Sequence, residues 1–154
     1  MAIPVLPSAA AADSFNGFPE PFYSRLGPYS SRELGDHFGL SAFGVSLQTL
    51  PAGSQSALRH WHSKSDEFVW MLEGTLVLVT DEGESLFTPG MSVGYKAGES
   101  NGHHLINRSE EDAVFLVVGS RAADDMVHYP DDDIQWVKSS DGKFVAARKD
   151  GSTY

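Results

Sequence analysis

The sequence predicts an all-β fold: a sandwich or barrel of short antiparallel strands behind an extended N-terminal arm. Three observations carry that reading. Short apolar or alternating runs recur at 41–50, 57–62, 67–72, 75–81, 84–88, 92–96, 103–107 and 113–119. Turn-forming clusters separate them, among them Pro51-Ala52-Gly53, Glu73-Gly74, Pro89-Gly90 and Ala97-Gly98. No stretch holds a helical period beyond a turn or two, and 121–126 is the one candidate for a further turn of helix. Many short strands at even spacing mark an antiparallel sandwich or barrel.

The elements follow in chain order. Residues 1–38 form the arm. Pro4, Pro7, Pro19, Pro21 and Pro28 disfavour helix and favour extended chain. Phe15, Phe18, Phe22 and Tyr23 predict that the arm packs on the barrel or on a partner, because a free tail has little use for aromatics. Residues 39–121 hold the eight runs and form the barrel. Residues 122–154 form an acidic loop and a C-terminal hairpin packed on it. Asp141-Gly142 between the β-prone runs 134–137 and 143–148 is the hairpin signal. The acidic stretch Asp124, Asp125, Asp131, Asp132 and Asp133 reads as a solvated loop, because it lacks the regular alternation and closing Glu of a calcium loop.

Composition narrows the functions. The chain of 154 residues suits one domain, and 11 Lys and Arg against 21 Asp and Glu give a net charge of −10. Nucleic acid and anionic membrane are therefore excluded as expected partners. There is no cysteine, which excludes a disulfide framework, thiolate metal sites and thiol nucleophiles. No run approaches the roughly 20 apolar residues of a membrane span. Residues 1–12 lack the positively charged start of a signal peptide, so the expected location is cytoplasmic.

The chemistry centres on histidine. In His60-Trp61-His62 the two imidazoles share one face of a strand while Trp61 points to the other. Glu67 opens the next strand and His103 a later one. If these strands are neighbours, His60, His62, Glu67 and His103 meet. Three neutral imidazoles and a carboxylate suit one divalent transition metal per chain, whether Zn, Mn, Fe, Ni or Co. His104 competes with His103 for the inward position, since only one of two successive strand residues faces in.

The spacing extends beyond the donors. Gly53 is followed by six residues, His60-Trp61-His62, four residues, Glu67, six residues and Gly74. A second block runs Gly90, five residues, Lys96, one residue, Gly98, four residues, His103, three residues and Asn107. Fifteen residues separate the blocks. This pair resembles the two motifs of the cupin superfamily, over about a third of the chain. The run 39–121, with Arg59-His60-Trp61-His62 and Asp66-Glu67-Phe68-Val69, is similar to bacterial single-domain cupins, the monocupins. The resemblance implies a double-stranded antiparallel β-helix, the jelly-roll barrel, with a metal held inside by His60, His62, Glu67 and His103. Two departures stand out. Lys96 replaces the motif's Pro, and the gap from Gly98 to the histidine is four residues where the family has two. The position of Asn107 favours His103 over His104.

Several residues take roles around that site. Glu67 is either the fourth ligand or a free base. Tyr95, Lys96 and Asn101 are candidates for the pocket mouth, and Met71 and Leu105, with Val69, Phe43, Val45 and Leu47, for its apolar wall or the barrel filling. Lys96 faces either solvent or an anionic substrate. Trp61, Phe68, Trp70 and Leu72 alternate against the metal face, to pack on a second sheet or a partner subunit. Arg59 is expected to pair with Asp66 or Glu73, and His37 and His128 to lie at the surface.

The resemblance implies a metal-dependent enzyme acting on a small polar organic molecule, a sugar-like compound or a small carboxylic acid, by isomerase, lyase or decarboxylase, or dioxygenase chemistry. The alternative is a non-catalytic binding or sensing module in which the metal is structural or assists the ligand. Single-domain cupins commonly dimerise, so a homodimer is expected.

Overall fold

The structure is a computed structural model that describes residues 4–11 and 13–154. The first three residues of the arm and Ala12 lie outside the described residues. The arm contributes β1 (Asp13–Ser14), helix α1 (Phe22–Leu26), β2 (Ser30–Glu33) and helix α2 (Leu34–His37). The body follows as β3 (Phe43–Leu50), β4 (Trp61–His62), β5 (Glu67–Glu73), β6 (Leu76–Thr80), β7 (Gly83–Phe87), β8 (Ser92–Tyr95), β9 (His104–Ile106) and β10 (Ala113–Ser120). The tail adds β11 (Val127–His128), β12 (Gln135–Lys138) and β13 (Phe144–Ala147).

Two antiparallel sheets make the jelly roll. One has six strands in the order β1-β2-β3-β10-β5-β8, and the other three in the order β7-β6-β9. Their inner faces meet in one core. Leu50, Val69, Met71, Ala113 and Phe115 come from the larger sheet, and Leu76, Phe87 and Leu105 from the smaller. The β5–β6 turn needs its glycine: Gly74 has φ +78°, and a Cβ there would lie 2.7 Å from the Asp112 carbonyl oxygen.

The arm does not simply lie over the body. β1 and β2 extend the chain's own sheet beyond β3 and so cover that edge. Phe22 and Leu26 of α1 join a second core with Leu58, Tyr129 and Ile134, against which Phe18 and Trp136 pack. This cluster ties arm, tail hairpin and the segment before His60 into one body. Among the described residues the helices are the short α1 and α2 and a 3-10 turn at Ser8–Ala10, while 121–126 is a turn without helix. No helix among the described residues is long and apolar enough to cross a membrane.

Strand parity corrects one expectation. Cross-strand partners share a face, and the register aligns Ser46 with Val117 and Val69, and Gln48 with Phe115 and Met71. The inward residues of β3 are therefore Ser46, Gln48 and Leu50, and Phe43, Val45 and Leu47 face outward. The outer face of this sheet is itself apolar, so hydrophobic alternation along β3 points the wrong way.

Asn107 is a structural member of the second block. It is fully buried, and its amide donates to the carbonyls of Leu50 (2.8 Å) and Glu111 (2.7 Å). Its Oδ1 accepts from the Ser109 N–H (3.0 Å) and hydroxyl (2.7 Å). It thus locks the β9–β10 turn onto the end of β3. Asn107→Ala strands two carbonyls and is expected to cost roughly 2–4 kcal/mol. Urea unfolding measures this, and a loss below about 1 kcal/mol, that of one ordinary hydrogen bond, contradicts the role.

Candidate metal centre

The site lies where the two motif segments run side by side. His60 donates its backbone N–H to the His103 carbonyl (3.2 Å), and His103 returns the bond (2.9 Å). This bridge brings the rings of His60 and His103 to 4.7 Å, and His62 follows with its ring 5.3 Å from that of His60. Glu67 enters from the start of β5, opposite Tyr95 of β8. Its Oε2 lies 3.0 Å from His103 Nε2 and 3.8 Å from His62 Nε2. His60, His62 and Glu67 place three donor atoms within 4.8 Å of one another, a group that can hold a metal ion. All four residues named from the sequence therefore converge, His103 through its contact with Glu67. His104 is turned away, and its Nδ1 meets the Ala57 carbonyl at 3.1 Å.

The outward nitrogens of the rings are already engaged. His60 Nδ1 donates to the Leu58 carbonyl (2.7 Å), His62 Nδ1 to the Asp125 carboxylate (2.6 Å), and His103 Nδ1 sits 3.5 Å from the Asn101 carbonyl. Acceptors on the Nδ1 atoms of His60 and His62 leave Nε2 as the coordinating atom of those two rings, which is the arrangement ligating histidines require. Burial pushes the His60 pKa down to about 4, so this imidazole is neutral at neutral pH. Burial pushes the Glu67 carboxyl up, but the His103 hydrogen bond and the adjoining imidazoles outweigh it and hold the group below its ordinary value. In the His103–Glu67 contact the imidazole is the donor through Nε2, and His103 would have to give up that proton to ligate a metal. The donor set fits a divalent transition ion.

The departures from the family pattern have physical substitutes. In place of the Pro, the turn at Lys96 is held by Asp66, which accepts the Ala97 N–H (2.8 Å), and by the Gly98 N–H donating to the His62 carbonyl (2.9 Å). The longer loop is pinned by Asn101, which accepts from the Asp81 N–H (2.9 Å) and donates to Glu82 (2.7 Å). His103 therefore enters in register. Its ring lies flat on Tyr95, with centroids 3.4 Å apart. Burial pushes the Tyr95 phenol up, and Glu67 adds to the shift.

Two cavities flank the donors. An outer one of about 230 Å³ is lined by Trp61, His62, Thr80, Tyr95, Lys96 and Asn101 among others. An inner one of about 190 Å³ is lined by Gln48, Ser56, His60, Glu67, His103 and Leu105 among others. Tyr95 and His103 border both. Tyr95, Lys96, Asn101 and Leu105 thus face cavities, while Met71 is fully buried in the core and lines neither. Gln48 and Ser56 escaped the sequence reading, and alternation from Leu50 on β3 is the signal that would have found Gln48.

Other expectations are corrected. Arg59 pairs with Asp131 (2.6 Å) and Asp81, where the sequence suggested Asp66 or Glu73. Both carboxylates raise the Arg59 pKa further, the Asp131 hydrogen bond most. The acidic stretch is solvated only in part: Asp124, Asp131 and Asp133 are exposed, yet the stretch also supplies partners to other segments. Asp125 bonds His62, Asp131 bonds Arg59, and Asp132 bonds Arg25 (2.8 Å). Ligand partners that distant in sequence leave no local pattern. Trp61 stacks on His128 at 4.1 Å, so His128 is half-buried, and His37 is exposed.

Comparison with known proteins places the chain. Residues 46–119 match the family model for the cupin domain. A sugar phosphate isomerase of the cupin superfamily from Silicibacter pomeroyi is 40% identical, with a TM-score of 0.89 over 98% of this chain and 96% of that one. The chain belongs to the cupin superfamily. A putative sugar phosphate isomerase from Acidithiobacillus ferrooxidans is 26% identical, with a TM-score of 0.71 over 82% of this chain and 80% of that one. A predicted oxalate decarboxylase from Thermotoga maritima is 20% identical, with a TM-score of 0.62 over 77% of this chain and 99% of that one, and shares the fold. No curated protein sequence matches the chain.

Arg59 braces the cupin site from outside by joining the segment before His60 to the loops at 81 and 131. Its carboxylate partners are half-exposed, which screens the pairs. Arg59→Ala is expected to lower stability by about 1 kcal/mol. The loss should shrink in high salt. Denaturant unfolding at two ionic strengths tests this, and a salt-independent change contradicts it.

Proposed function

We propose that this cupin is a metal-dependent isomerase of a sugar phosphate, with His60, His62, Glu67 and His103 holding one divalent transition ion. The supporting observation is the 40% identity, across nearly the whole chain, to a sugar phosphate isomerase of the same superfamily. The convergence of four donors beside two cavities adds to it. A bound divalent ion supplies Lewis acidity toward a carbonyl or hydroxyl oxygen.

The chain's own residues then have distinct tasks. Aldose–ketose isomerisation shifts a proton between adjacent carbons and another between their oxygens, with no net oxidation. It needs a base within reach of the substrate. Glu67 borders the inner cavity and is mostly shielded from water, which suits it to ligation or to carrying that proton. Gln48 lines the same cavity and is placed to bond a substrate hydroxyl. Lys96 lines the outer cavity and, among the described residues, makes no ion pair within 4.0 Å. It is the cation available for the phosphate.

A panel of aldose and ketose phosphates, assayed with Mn, Fe, Co, Ni and Zn in turn, tests the proposal. Turnover is expected, with loss of at least about 100-fold in His62→Ala and a several-fold higher KM with little change in kcat in Lys96→Ala. No turnover with any metal refutes the isomerase, and saturable binding without product supports the non-catalytic module instead.

The proposed assembly is a homodimer through the outer face of the six-stranded sheet. Register aligns Leu47, Leu116 and Trp70 in one row, and Val45, Val118 and Phe68 in the next. Phe68 and Trp70 remain 42% and 45% exposed. With a net charge of −10, two copies repel over most of their surface and can meet best on such an apolar face. Light scattering after size exclusion is expected to give twice the chain mass, and the double variant Phe68→Glu, Trp70→Glu a single chain. A monomeric wild type at micromolar concentration contradicts this.

A further inference from the structure

The segment after β10 delivers one carboxylate into contact with the site, from outside residues 46–119 that match the cupin model. Asp125 places Oδ2 2.6 Å from His62 Nδ1. Its Oδ1 accepts the backbone N–H groups of Lys64 (2.8 Å) and Ser65 (3.2 Å), with the Ser63 hydroxyl at 3.4 Å. The side chain is 14% exposed. Its own segment is tied to β4 on both sides of it. Ser63 N–H donates to the Met126 carbonyl (2.9 Å), Met126 N–H to the Ser63 hydroxyl (2.8 Å), and Val127 pairs with His62 across β11 and β4.

An ionised carboxylate only accepts hydrogen bonds, so His62 must carry its proton on Nδ1. That leaves the Nε2 lone pair directed toward Glu67. The other two rings are held by neutral carbonyls, Leu58 for His60 and Asn101 for His103, the latter at the long distance of 3.5 Å. Among the three histidines, His62 alone has a charged acceptor behind it. A carboxylate there both orients the ring and makes Nε2 a stronger donor.

We propose that Asp125 is a positioning residue, whose carboxylate fixes the tautomer and orientation of His62 and thereby sets metal affinity. The part concerning affinity rests on the metal reading above; the tautomer does not. The division of labour within the carboxylate is specific: Oδ1 holds the turn at 63–65, and Oδ2 sets the imidazole.

Two measurements test it. Metal-free wild-type protein carrying isotope-labelled histidine, in mildly alkaline buffer, reports the tautomer by long-range proton–nitrogen correlation. His62 is expected as the Nδ1–H form, and the Nε2–H form overturns the proposal without any variant having to fold. Asp125→Asn then keeps an oxygen for Lys64 and Ser65 but turns an NH₂ group toward His62 Nδ1, which drives the ring proton to Nε2. The tautomer is expected to switch, and the affinity for Co²⁺, by chelator competition, to fall about 10- to 100-fold at an unchanged metal-free Tm. A lowered metal-free Tm with a Co²⁺ affinity within about twofold of wild type assigns Asp125 to the turn alone and overturns the proposal. A wild type that binds none of the five metals refutes the function proposed above, and the tautomer then decides the role of Asp125.

Discussion

Two reciprocal backbone hydrogen bonds between His60 and His103 join segments more than forty residues apart in the chain, and the site depends on them. They set the first and last imidazoles side by side before any side-chain bond is made. The surrounding structure converges on keeping that bridge in place. Leu58, two residues before it, is buried between α1 and the tail hairpin. Asn107, four residues after His103, is locked to the end of β3. Further backbone bonds along the same two segments support the bridge: Ser56 N–H to the Leu105 carbonyl, Asn107 N–H to that of Ser54 and Gly53 N–H to that of Asn107, each 2.9 Å.

The interior of the barrel balances two demands. One half is an apolar core that holds the sheets together. The other collects imidazoles, a carboxylate, a phenol and an amide around two small cavities. Buried polar groups are costly unless each finds a partner. Here the partners are assigned: carbonyls and Asp125 behind the histidines, His103 beside Glu67, and Ser46 receiving the Gln48 amide at 3.2 Å. The same bonds that lower the burial cost also orient the donors inward. Stability and preorganisation of the site thus share one set of interactions.

The tail is part of the site rather than an appendage. Through Asp125, Asp131 and Tyr129 it reaches His62, Arg59 and the ring of His60, whose centroid lies 5.9 Å from that of Tyr129. Asp125, Asp131 and Tyr129 all lie beyond 46–119, the part of the chain that matches the cupin-domain model. Contacts within the body, not the tail, let a loop two residues longer than the motif, without its Pro, deliver His103 in register. Side-chain hydrogen bonds from Asp66, Asn101 and Asp81 replace the rigidity that a proline ring supplies.

The sequence by itself determined the all-β class and eight body strands to within a few residues, and it named four candidate donors that would meet if their strands were neighbours. Each of these is written locally, in runs, in turn residues and in the i, i+2 spacing of His60 and His62. It also separated His103 from His104, because strand parity and the position of Asn107 agree. Only the tertiary structure decided which face of β3 looks inward, since its inner face carries Ser46 and Gln48 while its outer face is apolar, so alternation points the wrong way. Only it assigned Asp125 to His62 and Asp131 to Arg59, from a stretch that reads as solvated acid. A hydrogen bond across some sixty residues leaves no period or motif in the chain; it exists because folding brings two otherwise unremarkable segments into register.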